Sequence, residues 1–174
     1  NRIAVPGCHA SGFIALIYPL IANGILPKDV DLTAHSLTGY SGGGKGMIAE
    51  YGDANRSPLL NAPRQYGIAQ AHKHLPEMTA VTGITNAPVF IPVVDDYYSG
   101  MEVTVPLFAS QLNEGKTAED IKKVYAAKYV GELVKYSPSI DENGMISAAG
   151  MSLSDAMQVT VAGNDDRILL IARY

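Results

Sequence analysis

The chain has 174 residues, of which 47% are hydrophobic and 17% charged, and its formal net charge is −4 at pH 7. This composition excludes a chain that is disordered throughout, and the length predicts one domain or a little more. A negative charge without a basic block argues against nucleic-acid binding, and no apolar run is long enough to span a membrane. A single cysteine cannot form an internal disulfide, which predicts a reducing compartment, with the cytoplasm as the default.

Both ends of the sequence look like cut ends. The chain opens on a strand-like run at residues 1–5 without a start methionine, and it stops in an apolar strand at residues 167–174. We therefore expect this chain to be a piece of a longer protein.

The only cysteine, Cys8, lies at the entrance to the first predicted helix. Apolar residues recur at helical spacing over residues 13–21, and Gly24 follows the pattern. A thiol in the first turn of a helix lies near unpaired N–H groups and the positive end of the helix dipole, which favour the nucleophilic thiolate. The same N–H groups could hold an oxyanion. The alternative is that Cys8 is simply a small buried apolar side chain.

The rest of the chain alternates irregularly between helical and strand patterns. Pro19 lies inside the first helical pattern, so the helix should kink or break there. Several strands are close enough in sequence for antiparallel pairing, which predicts an α+β fold. Helices are predicted at residues 45–51, from Leu75 onwards and at 117–129, and strands at 30–37, 66–69, 89–93, 101–108, 157–161 and 168–172, the last two as a hairpin.

Two histidines in the segment AHKHLPE form a second candidate site. In an extended segment His72 and His74 would point to one face, where either could act as general acid or base for a thiol. A metal would need further ligands, for which Cys8, His9 and Glu77 are the candidates. Nothing in the spacing fixes a zinc geometry, so we predict no metal. The simplest alternative is a pair of surface histidines.

A glycine-rich segment follows the predicted strand at residues 30–37. Its sequence, GYSGGGKG at residues 39–46, comes within one residue of a phosphate-binding P-loop. Gly46 stands where the magnesium-ligating hydroxyl would be, so we do not expect nucleotide hydrolysis. With Ser41 and Lys45 the loop could still approach a phosphate or carboxylate through backbone N–H groups. The alternative is a flexible linker.

Three blocks in this order carry a resemblance: PGC at residues 6–8, SLTGYSGGGK at residues 36–45 and HKHLPE at residues 72–77. Together they resemble N-acetyl-γ-glutamyl-phosphate reductase, in its shorter subtype, over nearly the whole chain. The resemblance implies a glyceraldehyde-3-phosphate dehydrogenase-like C-terminal fold, with a mostly antiparallel or mixed sheet covered by helices. It also implies that residues 1–174 are the catalytic and dimerisation domain of a homodimer or homotetramer. The family's N-terminal Rossmann domain, which binds NADP, and its final helix are absent from this sequence.

The family's chemistry is the NADPH-dependent reduction of N-acetylglutamyl phosphate to the semialdehyde, in arginine biosynthesis. By resemblance, Cys8 forms the thioester, His72 is the first choice for acid/base and His74 the second. His9 stands where the family often has tyrosine, so the choice between the histidines stays open. The implied substrate contacts are Ser41, Lys45, Arg64 and Tyr66, and the implied cofactor contacts are Ser41 and Gly42.

Two other interpretations compete with the reductase. One is a thiol hydrolase or acyltransferase that uses Cys8 and His72 without a cofactor. The other is a metal-binding or assembly module built on the histidine pair. A Rossmann fingerprint upstream of residue 1 would favour the reductase.

Overall fold

The computed structural model describes residues 5–174, so the predicted opening strand lies largely outside the described residues. Among the described residues, no helix combines the length and apolar character that a membrane crossing requires. The helices are α1 (Cys8–Ala22), α2 (Gly44–Gly52), α3 (Leu75–Thr82) and α4 (Ala118–Lys128). The strands are β1 (Thr33–Gly39), β2 (Arg64–Gln65), β3 (Val89–Asp95), β4 (Met101–Phe108), β5 (Val134–Tyr136), β6 (Met157–Gly163) and β7 (Arg167–Arg173).

All seven strands form one mixed sheet in the order β2-β3-β1-β4-β7-β6-β5. The pairs β1–β3 and β5–β6 are parallel, and the other four are antiparallel. The predicted hairpin is confirmed as β6 and β7, and the α+β class is confirmed.

The sheet has two unlike faces, as strand β4 illustrates. Val103 and Val105 are buried on the face that α1 covers, whereas Pro106 and Phe108 are exposed at alternate positions. A strand with one covered face requires this alternation. Helices α1, α3 and α4 supply the core on the covered side, so the start of α1 lies at the edge of the main core.

The sequence predicted a kink or a break at Pro19, and the break is wrong, because α1 continues without interruption from Cys8 to Ala22. Proline has no N–H to donate to the carbonyl of Ala15, one turn earlier. The hydroxyl of Tyr129 donates to that carbonyl at 2.6 Å instead. A side chain from the end of α4 therefore satisfies the group that the proline leaves open, which keeps the helix intact.

The strand predicted at residues 66–69 is also wrong. β2 ends at Gln65, and Gly67 with φ +62° begins a turn in which the N–H of Gln70 donates to the carbonyl of Gly67 at 2.9 Å. The side-chain amide of Gln70 then pairs with both main-chain groups of Phe90, at 2.8 and 2.9 Å. The other predicted elements are confirmed with ends shifted by a few residues, and β5 was not predicted.

Candidate active site

Cys8 is the first residue of α1, and its thiol is exposed. The preceding Gly7 connects it to the start of α3, because the N–H of Gly7 donates to Oε2 of Glu77 at 3.0 Å. A Cβ at position 7 would lie only 2.5 Å from Nε2 of His74. A residue without a side chain is therefore needed for the histidine segment to pack directly against the turn that precedes the thiol.

The structure brings three imidazoles together beside this thiol. Nitrogen atoms of His9 and His74 and the sulfur of Cys8 all lie within 4.8 Å of one another. The ring of His72 is 4.7 Å from that of His74 and 5.7 Å from that of His9, centroid to centroid, and lies outside this group. Both predicted histidines therefore reach the site, with His74 in the group at the thiol.

The two histidines meet for a reason other than the one predicted. Residues 72–74 form no extended segment; they turn into α3, and the N–H of His74 donates to Nδ1 of His72 at 3.2 Å. A compact turn, rather than strand alternation, places both rings on the same side. The prediction of an extended segment is therefore wrong, although the rings are neighbours.

His9 is buried and both of its ring nitrogens have partners. Nδ1 lies 2.7 Å from Oγ of Ser36 on β1, and Nε2 lies 2.6 Å from the hydroxyl of Tyr66. Burial, with smaller contributions from the two other histidines, lowers the pKa of His9 to about 3. His9 is therefore neutral near pH 7 and orients the Tyr66 hydroxyl, whose own pKa is raised by burial and by Cys8.

His74 and His72 also favour the neutral state. Burial lowers the pKa of His74, as do His72 and Lys73, while Glu77 opposes the shift. Burial and then Lys73 lower the pKa of His72. Neutral imidazoles can accept a proton from a thiol. Nδ1 of His74 is buried without a hydrogen-bond partner among the described residues, which is uncommon for a buried polar atom.

A cavity of about 240 Å³ opens beside these groups. Of the residues predicted from sequence, Cys8, His72, His74, Tyr66 and Gly42 line it. His9, which the sequence named as a further histidine near the thiol, also lines it. The remaining lining residues, which the sequence did not single out as site residues, are Thr38, Gly43, Met47, Lys73 and Val94.

Three predicted ligand contacts stand outside the lining of this cavity, as far as the described residues extend. These are Ser41, Lys45 and Arg64. Lys45 and Arg64 are exposed, and Arg64 lies 3.8 Å from a carboxylate oxygen of Glu50. The cation that the cavity does contain is Lys73, which lies between the two histidines in the motif. The sequence could have indicated this role of Lys73, because the residue lies between two histidines that were already predicted to belong to the site.

The glycine loop after β1 is held in place rather than being a free linker. The N–H groups of Tyr40 and Ser41 donate to the carbonyls of Tyr97 and Tyr98, each at 2.9 Å. A Cβ on Gly39 would lie 2.7 Å from both of those carbonyl oxygens. The close approach of the segment after β3 therefore requires glycine at position 39. Two of the N–H groups considered for anion binding are already paired.

The donor set around Cys8 is poorly suited to a metal. Among the described residues, Cys8, His9 and His74 form the only group of three or more His, Cys, Asp or Glu side chains close enough to bind one metal ion. His9 would have to break its contacts with Ser36 and Tyr66 to coordinate an ion. Two free ligands remain, fewer than a stable zinc site uses. The arrangement favours acid–base chemistry on a thiol.

Comparison with known proteins identifies the family to which this chain belongs. Residues 8–174 match a family model described as semialdehyde dehydrogenase, dimerisation domain. The chain is 39% identical over 165 residues to an N-acetyl-gamma-glutamyl-phosphate reductase of Rhizobium etli, covering 92% of this chain and 53% of that protein. It is 36% identical over 184 residues to N-acetyl-gamma-glutamyl-phosphate reductase 2 of a Nostoc species, covering 98% and 57%. The chain thus spans about half the length of these curated relatives.

Solved structures with a similar fold include aspartate semialdehyde dehydrogenases. Aspartate semialdehyde dehydrogenase II from Vibrio cholerae aligns with a TM-score of 0.64 at 16% identity, covering 98% of this chain and 56% of that chain. The enzyme from Francisella tularensis aligns with a TM-score of 0.65 at 12% identity, covering 98% and 58%. At such identities the likeness concerns the fold alone. It confirms the fold class predicted from the sequence.

Proposed function

Because this chain belongs to the semialdehyde dehydrogenase dimerisation-domain family, we propose that it is the catalytic and dimerisation domain of an N-acetyl-γ-glutamyl-phosphate reductase. The observation that carries the proposal is the exposed Cys8 at the start of α1, grouped with His9 and His74 within 4.8 Å. The identities of 36–39% to reductases of that name support the choice of substrate.

Cys8 is the nucleophile of the proposed reaction. Its thiolate attacks the acyl carbon of N-acetylglutamyl phosphate, the carbon–sulfur bond forms, and the carbon–oxygen bond breaks as phosphate leaves with the electron pair. The position at the N-terminus of α1 favours the negative charge of the thiolate. The same helix end offers N–H groups to the oxygen that becomes negative during attack.

The acid–base group of this proposal is His74. It is neutral before reaction, so it can take the thiol proton of Cys8 and then give that proton to an oxygen of the departing phosphate. Its buried Nδ1, which has no hydrogen-bond partner among residues 5–174, and its packing on Gly7 support this role. His72 is the neighbouring group that the sequence placed first, and we propose that it supports the neutral state of His74.

The substrate anion is proposed to bind beside Lys73 and the glycine loop. Lys73 borders the cavity and would face the negative charge of the phosphate or carboxylate. Tyr66, held by His9, presents a protonated hydroxyl to the same space. Lys45 and Arg64 are proposed as outer contacts on the exposed approach to it.

The residues present fit the border of a dinucleotide site. Gly42 lines the cavity, and a Cβ there would lie 3.2 Å from Oγ1 of Thr38, so any side chain would narrow the space. NADPH, when bound, supplies the hydride that converts the thioester to the aldehyde and frees the thiolate. We propose that Gly42 contacts it at this cavity and Ser41 contacts it outside the cavity lining, while a separate domain holds most of it.

The full-length protein provides the test of this function. With N-acetylglutamyl phosphate it should oxidise NADPH and release one phosphate for each NADPH consumed, followed by NADPH absorbance and a phosphate assay. Release of phosphate and N-acetylglutamate without NADPH would instead identify a hydrolase. Absence of both reactions in correctly folded protein would refute the proposed substrate.

The open face of the sheet is the proposed surface for self-association. Val89, Phe108 and Leu169 are apolar and exposed there, and among the described residues the core helices α1, α3 and α4 pack on the opposite face. Contiguous exposed apolar side chains commonly mark an interface. The family description as a dimerisation domain supports a homodimer or homotetramer built on this face.

Leu169→Arg should therefore weaken association of the full-length protein by at least about tenfold, because a charge would be buried in the interface. Light scattering across a dilution series measures the change. Leu59→Arg is the matched control, since Leu59 is an exposed leucine on the connection between α2 and β2 and belongs to no strand. A monomeric wild-type protein at micromolar concentration, or equal effects of both variants, would rule this interface out.

A further inference from the structure

Three tyrosine hydroxyls donate to main-chain carbonyls of α1. Tyr125 donates to Leu16, Tyr129 donates to Ala15, and Tyr174 donates to Cys8, each at 2.6 Å. The first two bonds lie in the middle of the helix, where they join α4 to α1. The third lies at the residue that carries the thiol.

The hydroxyl of Tyr174 also accepts a hydrogen bond within the same helical turn. The N–H of Gly12 donates to it at 3.2 Å. Residues four apart are the two ends of one helical hydrogen bond, so this hydroxyl bridges the carbonyl of Cys8 and its natural partner N–H. A side chain bonded within the first turn fixes the position of that turn relative to the sheet.

The structure around Gly12 and around Tyr174 makes these two hydrogen bonds possible. A Cβ on Gly12 would lie 2.8 Å from the Tyr174 hydroxyl and 2.7 Å from a methyl of Val103. Glycine is a poor residue for a helix interior, and here it makes room for the ring. The main chain of Tyr174 pairs with that of Met101, at 2.6 and 3.0 Å, which anchors the ring at the end of the sheet.

We propose that Tyr174 is a positioning residue that holds the first turn of α1 so that the Cys8 thiol stays reactive. This role rests on the proposed function, in which Cys8 is the nucleophile. The ring also borders a second cavity, of about 370 Å³, that Cys8 shares. Burial and then Cys8 raise the pKa of Tyr174, which keeps its hydroxyl protonated and able to donate.

The test compares Tyr174→Phe with Tyr129→Phe in the full-length protein. Both variants remove one hydroxyl that donates to a carbonyl of α1 at 2.6 Å, so Tyr129→Phe is a matched control. Alkylation of Cys8 by iodoacetamide, followed by mass spectrometry, gives the reactivity, and thermal unfolding gives the stability. Tyr174→Phe should slow alkylation by about three- to tenfold, while Tyr129→Phe changes it by less than about twofold.

A purely structural role predicts a different pattern, in which both variants lower the melting temperature and neither selectively slows alkylation. That pattern would overturn the proposal. Gly12→Ala is a second variant, since its methyl would displace the ring while keeping the tyrosine, and it should also slow alkylation. An unreactive Cys8 in the wild-type protein would instead refute the proposed function, so the two failures are distinguishable.

Discussion

Replacing Cys8 with serine should lower the turnover number of the full-length protein in the proposed reaction by at least about ten-thousandfold. A serine hydroxyl is hardly ionised near neutral pH, so the helix terminus and the neighbouring imidazoles have no thiolate to stabilise. The substitution changes one atom at an exposed position, and the fold should tolerate it. The measurement is NADPH oxidation with saturating N-acetylglutamyl phosphate.

Two controls separate chemistry from structure in the Cys8→Ser variant. Its thermal unfolding should match the wild type, and its affinity for NADPH should be unchanged. Treatment of the wild type with iodoacetamide should abolish activity in step with modification of Cys8, measured on the peptide that contains it. If Cys8→Ser retains more than about one-hundredth of wild-type turnover, a covalent thioester route is untenable.

Replacing His74 with asparagine should lower kcat/KM by about 10²–10⁴-fold, the usual contribution of general acid–base catalysis. His72→Asn is the matched control, because it removes an adjacent ring whose pKa is also lowered, chiefly by burial. We expect it to cost only about tenfold. The ring of His74 belongs to the group at the thiol and that of His72 does not.

Comparison of the two histidine variants decides which histidine is the acid–base group. Initial rates with NADPH and varied substrate give kcat/KM for each. A larger loss in His72→Asn would return the acid–base role to the histidine that the sequence placed first. Equal losses would indicate that the two imidazoles act as one unit.

Much of the fold followed from local patterns. β4 was predicted with its observed ends, Met101 and Phe108, because β-branched residues are concentrated in this run. The start of α4 was predicted from Thr117, whose side chain and N–H both bond to Asp120 at the helix start. These signals arise within a few residues, so sequence alone contains them.

The errors occurred where a distant partner overrides a local rule. Pro19 predicts a break, but Tyr129 satisfies the open carbonyl from 114 residues away. Residues 66–69 have strand-like composition, yet Gly67 turns the chain and Gln70 pairs with Phe90 instead. No window of sequence contains these partners, because folding creates the contacts.

The sequence by itself determined the chemical groups of this protein: one thiol at a helix start, a histidine pair, a glycine loop, and the family that their order indicates. The catalytic and binding roles of those residues stay predictions. The tertiary structure alone decided which histidine joins Cys8, that His9 is buried between Ser36 and Tyr66, and that Tyr174 reaches across 166 residues to the Cys8 carbonyl. The physical reason is that burial and hydrogen bonding depend on distances in space, which residue order does not specify.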